Sequence, residues 1–351
     1  MLLATCSVLQ AQADPFKDLD QNGDGKLSLS ETPDAVKPLF PLADQNGDQF
    51  VSPEEFRQFA AKVPTNGATS DIEQLKDIDY VGKGNPKQNL DILVHKDRAT
   101  KKRPLVVFVH GGGWEQGGKE EGAGIIRAIA GTGDYVAATI NYRFSDEAIW
   151  PAQIFDCKAA IRFLRGKADE YGIDGEHIGV MGASAGGQLV CVLGTCNDAS
   201  MEGSLGAFPK MDSRVQCVVN FFGPTDFMTF FGKDVAIETI RRKNTAMRVL
   251  GKTDELIREN ARTASAVTWI SKDDAPFLTA HGTKDNLVPF AQAEELDAAL
   301  RKSGVETHLI AMQGAGHGFS NADLNERIRR FFNLHLKGEA AEISSAPIRV
   351  N

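Results

Sequence analysis

The sequence lacks the features that mark several specialised classes of protein. Its 351 residues contain no apolar stretch of the roughly 18 residues that a membrane-spanning helix needs. It has no long basic run, and 47 acidic against 39 basic residues give a net charge of −8. We therefore expect no membrane span, and neither nucleic acid nor an anionic membrane surface as a partner.

Cysteine is scarce, and its spacing supports no metal or redox motif. The five cysteines form no C-x-x-C pair, so a cysteine zinc site is unsupported. Cys191 and Cys196 lie five residues apart on a predicted helix, which is an awkward separation for a disulfide bond. Buried free thiols are the expected state.

The first 13 residues have the pattern of an export signal without its positively charged start. Residues 1–13 are largely apolar and end in Ala11-Gln12-Ala13, which is similar to an A-x-A cleavage site. We expect a signal-peptide remnant and a protein exported to the periplasm or beyond the cell. An unstructured N-terminus is the alternative.

Composition divides the rest of the chain into a small acidic segment and a larger domain. Residues 14–62 carry ten acidic and five basic residues. Residues 63–70, which follow, carry no charge and are rich in small and turn-forming residues, so we predict a linker over 63–74. We place the main domain at 75–338 and a C-terminal tail at 339–351.

Strand-like and helix-like patterns alternate along the main domain. Helical patterns such as Ala152–Leu164 and Ala291–Leu300 separate short apolar runs that are typical of buried strands. The predicted strands are Leu105–Val109, Tyr135–Ile140, Ile178–Met181, Val215–Phe221, Phe277–Ala280 and Thr307–Ala311. This alternation predicts an α/β fold with a mostly parallel, doubly wound sheet. Antiparallel edge strands are expected at 75–81 and 89–95, and a largely helical insertion at 224–270 is expected over the ligand-binding edge.

The acidic segment contains a pattern that resembles the calcium loop of an EF-hand. From position 20 to position 31, oxygen-bearing residues occupy the alternating positions that a twelve-residue loop aims at one Ca²⁺ ion. A small helical EF-hand pair over 14–62 is therefore predicted, with calcium as its cofactor. The predicted ligands of the first loop are Asp20, Asn22, Asp24, Lys26 through its backbone carbonyl, and Glu31.

The pattern returns 24 residues later with one departure. Gln49 stands at the sixth position, where Gly25 makes the sharp turn of the first loop. A non-glycine residue with positive φ is strained there, so the second site is expected to be weaker. Leu27 and Val51, at the eighth positions, are expected to pair across a short β-bridge. The predicted ligands of the second loop are Asp44, Asn46, Asp48, Phe50 through its carbonyl, and Glu55.

A glycine-rich turn in the main domain has the pattern of a nucleophile elbow. The sequence GASAG at 182–186 follows one predicted strand and precedes an apolar helical run. A G-x-S-x-G turn presents its serine on a sharp strand-to-helix turn at the N-terminus of the helix. Ser184 is the predicted nucleophile.

A second glycine run follows another predicted strand. The sequence HGGGW at 110–114 allows backbone N–H groups to face an oxyanion as it develops. We predict that Gly112, Gly113 and Ala185 form the oxyanion hole. His110 is interpreted as structural.

A serine nucleophile needs a base and a carboxylate that orients the base. His317 lies in the loop that follows the last predicted strand, and Asp285 follows the strand before it. Both side chains are therefore expected at one edge of a parallel sheet. The chain order Ser184, Asp285, His317 is the order of α/β-hydrolases, and these residues are the predicted triad.

On these motifs, residues 75–338 resemble a serine esterase of the α/β-hydrolase superfamily. The nearest branch is the bacterial one related to hormone-sensitive lipase and to feruloyl and acetyl-xylan esterases. The phrases that carry the resemblance are HGGGW at 110–114, NYR at 141–143, WPAQIFDCKAAIRFL at 150–164, GASAGG at 182–187, HGTKDNLVP at 281–289 and GAGHGF at 314–319. Two departures from the hormone-sensitive-lipase pattern, Ala183 before the serine and the context of Asp285, favour the carbohydrate-esterase side.

The resemblance implies a carboxylic ester hydrolase that acts through an acyl-enzyme. Its substrates would be small-molecule or carbohydrate esters, with short acyl, acetyl or feruloyl groups, and catalysis would need no cofactor. A serine peptidase or amidase similar to prolyl oligopeptidases is one alternative, and a non-catalytic calcium-dependent binding protein is another. The EF-hand pair is interpreted as a structural calcium clip or, alternatively, as a protein-docking module. Trp114, Met228, Phe230 and Phe231 are candidates for an apolar acyl pocket or for the core.

Overall fold

The acidic segment folds as a small unit of short strands and helices. The computed structural model describes residues 16, 19–20, 22–32, 40–44, 46–62, 71–230 and 245–350. Within the acidic segment, strands β1 (Leu27–Ser28) and β2 (Phe50–Val51) pair in antiparallel register. Helix α1 (Phe40–Ala43) precedes β2, and helix α2 (Pro53–Lys62) follows it. Leu27 lies opposite Val51, so the bridge expected between the eighth positions is confirmed.

This unit has an apolar cluster of its own. The rings of Phe16 and Phe56 meet edge to face with 5.6 Å between their centroids. The side chains buried in the cluster are those of Phe16, Leu27, Phe40, Ala43 and Val51. The predicted signal remnant and most of the predicted linker lie outside the described residues, so export stays a prediction.

A nine-stranded sheet forms the centre of the main domain as far as the structure describes it. Its strands are β3 (Ile72–Asp79), β4 (Asn89–His95), β5 (Arg103–Val109), β6 (Val136–Ile140), β7 (Ile173–Ala183), β8 (Cys217–Phe221), β9 (Phe277–Gly282), β10 (Thr307–Gln313) and β11 (Ile348–Arg349). They lie in the order β11-β10-β9-β8-β7-β5-β6-β4-β3. Strand β4 runs antiparallel to β3 and β6, and the other neighbouring pairs are parallel. The predicted α/β-hydrolase fold is confirmed.

Helices cover both faces of this sheet. Alternate side chains of β5 enter two different apolar clusters: Leu105 and Val107 belong to one, and Val106 and Phe108 to the other. A parallel strand that is buried on both faces reads as a continuous apolar run, which explains why β5 was recognisable. The helices are α3 (Ala123–Ala130), α4 (Ala152–Gly166), α5 (Ala168–Tyr171), α6 (Ala185–Thr195), α7 (Asp254–Ala264), α8 (Ala291–Lys302) and α9 (Ala322–Lys337).

The sheet extends further along the chain than the pattern indicated. Strand β3 begins at Ile72, three residues before the expected domain start. Two residues of the expected tail form β11, where Ile348 pairs with Met312 at the sheet edge. Ile343 and Ile348 are buried in the same cluster as α9, so the tail packs through isolated apolar residues that have no periodic pattern.

The structure also shows the state of four cysteines and the character of the helices. Cys157, Cys191, Cys196 and Cys217 are buried free thiols. Within the parts of the chain that the structure describes, no helix has the length and apolar character required to cross a membrane.

Helix α6 packs so closely on the sheet that Gly194 has no space for a side chain. A Cβ there would overlap Val218 Cγ2 and would lie 2.9 Å from Phe277 Cζ, and both residues are buried. We predict that Gly194→Ala lowers the free energy of unfolding by about 1–3 kcal/mol, because overpacking outweighs the gain in helix propensity. Thermal and denaturant unfolding measure this.

Gly175→Ala is the matched control. A Cβ at Gly175 would meet Arg165 Cγ at 3.4 Å, an ordinary contact distance. This variant should be as stable as the parent or slightly more stable. Equal stability of the two variants would show that α6 can move away from the sheet.

Candidate active site and acidic loops

The turn between β7 and α6 holds Ser184 in a strained conformation. Ser184 has φ 53° and ψ −117°, which is unusual for a residue with a side chain. A Cβ at Gly182 would overlap the carbonyl oxygen of Gly186, and a Cβ at Gly186 would overlap that of Val109 at the end of β5. The two glycines of the motif therefore permit a turn that larger residues would open.

Three side chains from different loops form a hydrogen-bonded chain at the carboxyl edge of the sheet. His317 Nε2 lies 2.9 Å from Ser184 Oγ, and His317 Nδ1 lies 2.7 Å from Asp285 Oδ2. Asp285 has a buried side chain, whereas the side chain of His317 is 17% exposed. The structure thus brings the three predicted triad residues together in the predicted order.

A tight turn fixes the carboxylate of Asp285. The backbone N–H groups of Leu287 and Val288 donate to Asp285 Oδ1 at 2.8 and 2.9 Å, which leaves Oδ2 to face His317. His281 Nε2 lies 2.9 Å from the Val288 carbonyl oxygen, which can only accept, so this nitrogen carries a proton. The same nitrogen is 3.4 Å from Asp285 Oδ2. Burial lowers the pKa of His281.

The glycine loop after β5 approaches the elbow directly. Gly112 and Gly113 have φ values of 101° and 61°. A Cβ at Gly111 would lie 3.3 Å from the Cβ of Ser184. Ala185 is the first residue of α6, where backbone N–H groups have no acceptor within the helix. The predicted oxyanion donors thus lie on two segments that meet beside Ser184.

The side chain of His110 packs against the backbone of this loop. It is fully buried, and its Nδ1–H donates to the Gly111 carbonyl oxygen at 2.7 Å. Burial lowers its pKa to about 4, so the ring is neutral near pH 7. Tyr142 stacks on it at 4.4 Å between centroids and donates from its hydroxyl to the same carbonyl oxygen. These contacts agree with the structural interpretation of His110.

The four aromatic or apolar candidates for an acyl pocket occupy different environments. Trp114 is buried, and its Nε1–H donates to Gln188 Oε1 at 3.0 Å, so it belongs to the core. Met228 is exposed, and Phe230 packs partly buried against the core. Phe231 lies outside the described residues.

Sequence reasoning missed a residue that touches the predicted base. The Phe222 ring lies 4.6 Å from the His317 ring between centroids, and its backbone has a φ of 43°. The predicted strand Val215–Phe221 ends one residue before Phe222, and the Gly-Pro that follows Phe222 was the available sign of a turn. The other supporting residues that were missed are His281, Tyr142 and Gln188.

The two acidic loops share one hydrogen-bond pattern. In the first, Asp20 accepts from the backbone N–H groups of Gly23 and Gly25 at 2.8 and 2.9 Å. In the second, Asp44 accepts from those of Gly47 and Gln49 at the same distances. At position 12 of each loop the glutamate carboxylate accepts from backbone N–H groups of its own loop. Both loops are therefore wound as the repeat predicts.

The sixth position shows the expected strain, and the donor set is one that calcium accepts. Gln49 has a φ of 69°, close to the 79° of Gly25. Among the described residues, no three or more His, Cys, Asp or Glu side chains form a group that could hold a metal ion by themselves. An ion in the first loop would therefore also need the amide oxygen of Asn22 and the carbonyl oxygen of Lys26, ligands that hard Ca²⁺ takes readily.

Known proteins resemble the chain in both of its parts. The EF hand family model matches residues 13–32, which contain the first acidic loop. Esterase LipC of Mycobacterium tuberculosis is 32% identical over 245 residues, which are 68% of this chain and 59% of LipC. Esterase LipQ of the same organism is 28% identical over 260 residues, 71% of this chain and 58% of LipQ. The chain thus spans a little over half the length of these relatives.

Solved structures match the fold over most of the chain. A truncated carbohydrate esterase from gut microbiota is 30% identical with a TM-score of 0.67, over 76% of this chain and 96% of that one. A bifunctional GH43-CE protein of Bacteroides eggerthii is 29% identical with a TM-score of 0.65, over 75% of this chain and 38% of that one. The BD-FAE family model matches residues 90–300, more than half of the sequence, and so this chain belongs to the BD-FAE family.

Proposed function

We propose that the protein is a carboxylic ester hydrolase that works through a covalent acyl-enzyme. The observation that carries the proposal is the continuous hydrogen-bonded chain from Ser184 through His317 to Asp285. An alcohol aligned with an imidazole and a carboxylate can be activated for attack on a carbonyl carbon. The esterase relatives support the same chemistry.

We assign each of the three residues one part of the reaction. Ser184 Oγ attacks the ester carbonyl carbon while its proton passes to His317 Nε2. The tetrahedral intermediate then collapses, and His317 returns that proton to the departing alcohol. Water repeats the sequence on the acyl-enzyme, with its proton moving through His317 to Ser184 as the acid leaves. Asp285 holds the Nδ1–H of His317, so that Nε2 faces the serine throughout.

The negative charge that develops on the carbonyl oxygen would be held by backbone donors. We assign the N–H groups of Gly112, Gly113 and Ala185 to this role. Ala185 adds the positive end of the α6 dipole. Each donor of this kind is worth about 3 kcal/mol of transition-state stabilisation, so the shape of the glycine loop matters as much as the triad.

We further propose short acyl or carbohydrate-linked esters as the substrate class. Support comes from the solved carbohydrate esterases, which match over three quarters of this chain. Two exposed apolar side chains follow strands at the carboxyl edge of the sheet: Leu287, 68% exposed, comes two residues after Asp285, and Met228, 55% exposed, lies in the loop after β8. They offer limited apolar surface, which suits a small acyl group better than a long chain.

Removal of the nucleophile tests the reaction type. Ser184→Ala should lower kcat/KM for p-nitrophenyl acetate by at least about 10³-fold, because the serine and the histidine act as one unit. Ser200→Ala, an exposed serine on a surface turn, is the control and should keep full activity. Retention of activity in Ser184→Ala would overturn the mechanism, and an inactive parent would favour the non-catalytic binding protein.

A substrate panel tests the class of bond and acyl group. We expect higher kcat/KM on acetyl esters, including acetylated xylan, than on dodecanoyl esters, because the exposed apolar surface is small. A feruloyl ester and an aminoacyl anilide complete the panel, and Ser184→Ala gives the background rate. Faster anilide cleavage would assign the protein to the peptidase alternative.

We also propose that the acidic loops bind calcium and stabilise the protein. Asp20, Asn22, Asp24 and Glu31 would hold an ion in the first loop, with the Lys26 carbonyl. The second loop would bind more weakly, because Gln49 keeps a strained backbone. A ligand that binds only the folded state stabilises it by mass action, about 2.7 kcal/mol at a hundred times its dissociation constant.

Titration of the full chain with Ca²⁺ by calorimetry tests this proposal. Glu31→Gln should weaken the tighter site at least about 10-fold, since it removes the bidentate ligand, and Glu55→Gln should affect only the weaker site. Gln49→Gly should tighten the second site by relieving strain. Glu54→Gln, next to a predicted ligand, is the control. Absence of Ca²⁺ binding in the titration, or a melting temperature that chelation leaves unchanged, would rule out a calcium clip.

A further inference from the structure

Phe222 is placed against the triad by a backbone that a phenylalanine does not favour. Its φ of 43° lies in the left-handed region, where glycine is comfortable and a bulky residue is strained. Such strain persists only where the surrounding structure enforces it, and it is concentrated at functional sites. An aromatic ring at this strained position therefore indicates a role beyond forming the turn.

Hydrogen bonds from three strands enforce the conformation. The backbone N–H of Ser184, after β7, donates to the Phe221 carbonyl oxygen at 2.9 Å. The N–H of Phe222 donates to the Ala280 carbonyl oxygen of β9 at 3.1 Å. The N–H of Gly223 donates to Asn220 Oδ1 at 3.0 Å. Hydrogen bonds thus connect the strained turn to Ser184 on one side and, on the other, to the strand that precedes Asp285.

The ring packs on the base and on the loop that carries it. Its centroid lies 4.6 Å from the His317 ring at an interplanar angle of 60°, and 5.3 Å from the Phe319 ring at 79°. It also lies 6.5 Å from the ring of His281, the neighbour of the Asp285 carboxylate. The Phe222 ring therefore contacts the imidazole of His317, the ring of Phe319 in the same loop, and the ring of His281 beside Asp285.

The histidine loop needs an external contact of this kind. The sequence GAGHG at 314–318 has glycines on both sides of His317, and two of these, Gly314 and Gly318, have φ values of 87° and 130°. Glycine leaves a loop with many accessible conformations. An imidazole on such a loop can rotate away from its two hydrogen bonds unless something packs against it, and misplacement by about 1 Å can cost 10²-fold in rate.

We propose that Phe222 is a positioning residue: its ring fixes the imidazole of His317 in the orientation in which Nε2 faces Ser184 and Nδ1 faces Asp285. The proposal rests on the ester hydrolase function proposed above. It assigns no chemical step to the ring. The strain at Phe222 is then the cost of delivering an aromatic side chain to this point.

Substitutions at Phe222 separate the ring from the turn. Phe222→Gly removes both ring and strain, and Phe222→Leu removes the aromatic ring but keeps an apolar side chain. Both should lower kcat for p-nitrophenyl acetate by about 10- to 100-fold, with KM within about 3-fold of the parent. Phe222→Gly should nevertheless melt no lower than Phe222→Leu, because it relieves the backbone. Phe222→Tyr keeps the ring and should retain most of kcat.

Phe208→Leu is the matched control. Phe208 is also a partly buried phenylalanine, but its ring packs on Phe163 and not on a triad residue. It should keep the parent kcat. Parent-like kcat in both Phe222→Gly and Phe222→Leu would overturn the proposal, and so would an equal loss in Phe208→Leu. Loss of kcat in Phe222→Tyr as large as in Phe222→Leu would also overturn it.

A spectroscopic readout separates this proposal from the proposed function. In proton NMR of the full chain, the hydrogen between His317 Nδ1 and Asp285 should give a low-field resonance. We expect that resonance to be present in Ser184→Ala and Phe222→Tyr, and lost or broadened in Phe222→Gly and Phe222→Leu. An unchanged resonance in the last two would contradict positioning. If the parent fails to cleave esters but the resonance responds as described, the proposed ester hydrolase function fails and the positioning role of Phe222 stands.

Discussion

The close approach of two backbones at the nucleophile turn is the constraint on which the site depends. Gly186 lies against the carbonyl oxygens of Val109 and His110, so the start of α6 is held directly against the end of β5. This contact places Ser184 and the glycine loop that follows β5 next to each other. The parallel order of β7, β8, β9 and β10 then brings the aspartate and histidine loops to the same edge. The arrangement of Ser184, His317 and Asp285 is thus a consequence of strand order and of one crowded turn.

Much of this was predictable from sequence, because the features concerned leave local signals. Apolar runs marked the buried parallel strands, and the glycine spacing of the elbow marked the turn that needs it. Ser184, Asp285 and His317 were identifiable because each follows a predicted strand on its carboxyl side, and parallel strands share that edge. The acidic loops were recognisable for a similar reason, since their ligand positions are close together in the chain.

The features that sequence did not indicate depend on contacts between distant residues. Strand β11 is only Ile348 and Arg349, and it exists because an open edge of β10 lies beside it. The first half of β7 carries Asp174 and Glu176, so it lacked an apolar pattern, although Ile173 pairs with Arg103 of β5. Phe222 directly follows the predicted strand Val215–Phe221, and nothing in its own position marked it as a functional residue. Its role depends on a backbone conformation that three strands impose together, and no window of sequence contains that information.

The crowded glycines also limit how the sequence around the proposed active site can change. A side chain at Gly182, Gly186 or Gly187 would overlap or press on neighbouring backbone or on the Asn220 amide, so these positions accept no variation without moving the serine. New specificity in laboratory evolution must therefore arise in the surrounding loops, where exposed residues such as Met228 and Leu287 can be exchanged freely. Libraries that spare the elbow and randomise those loops would explore new substrates while the chemical centre is inherited intact.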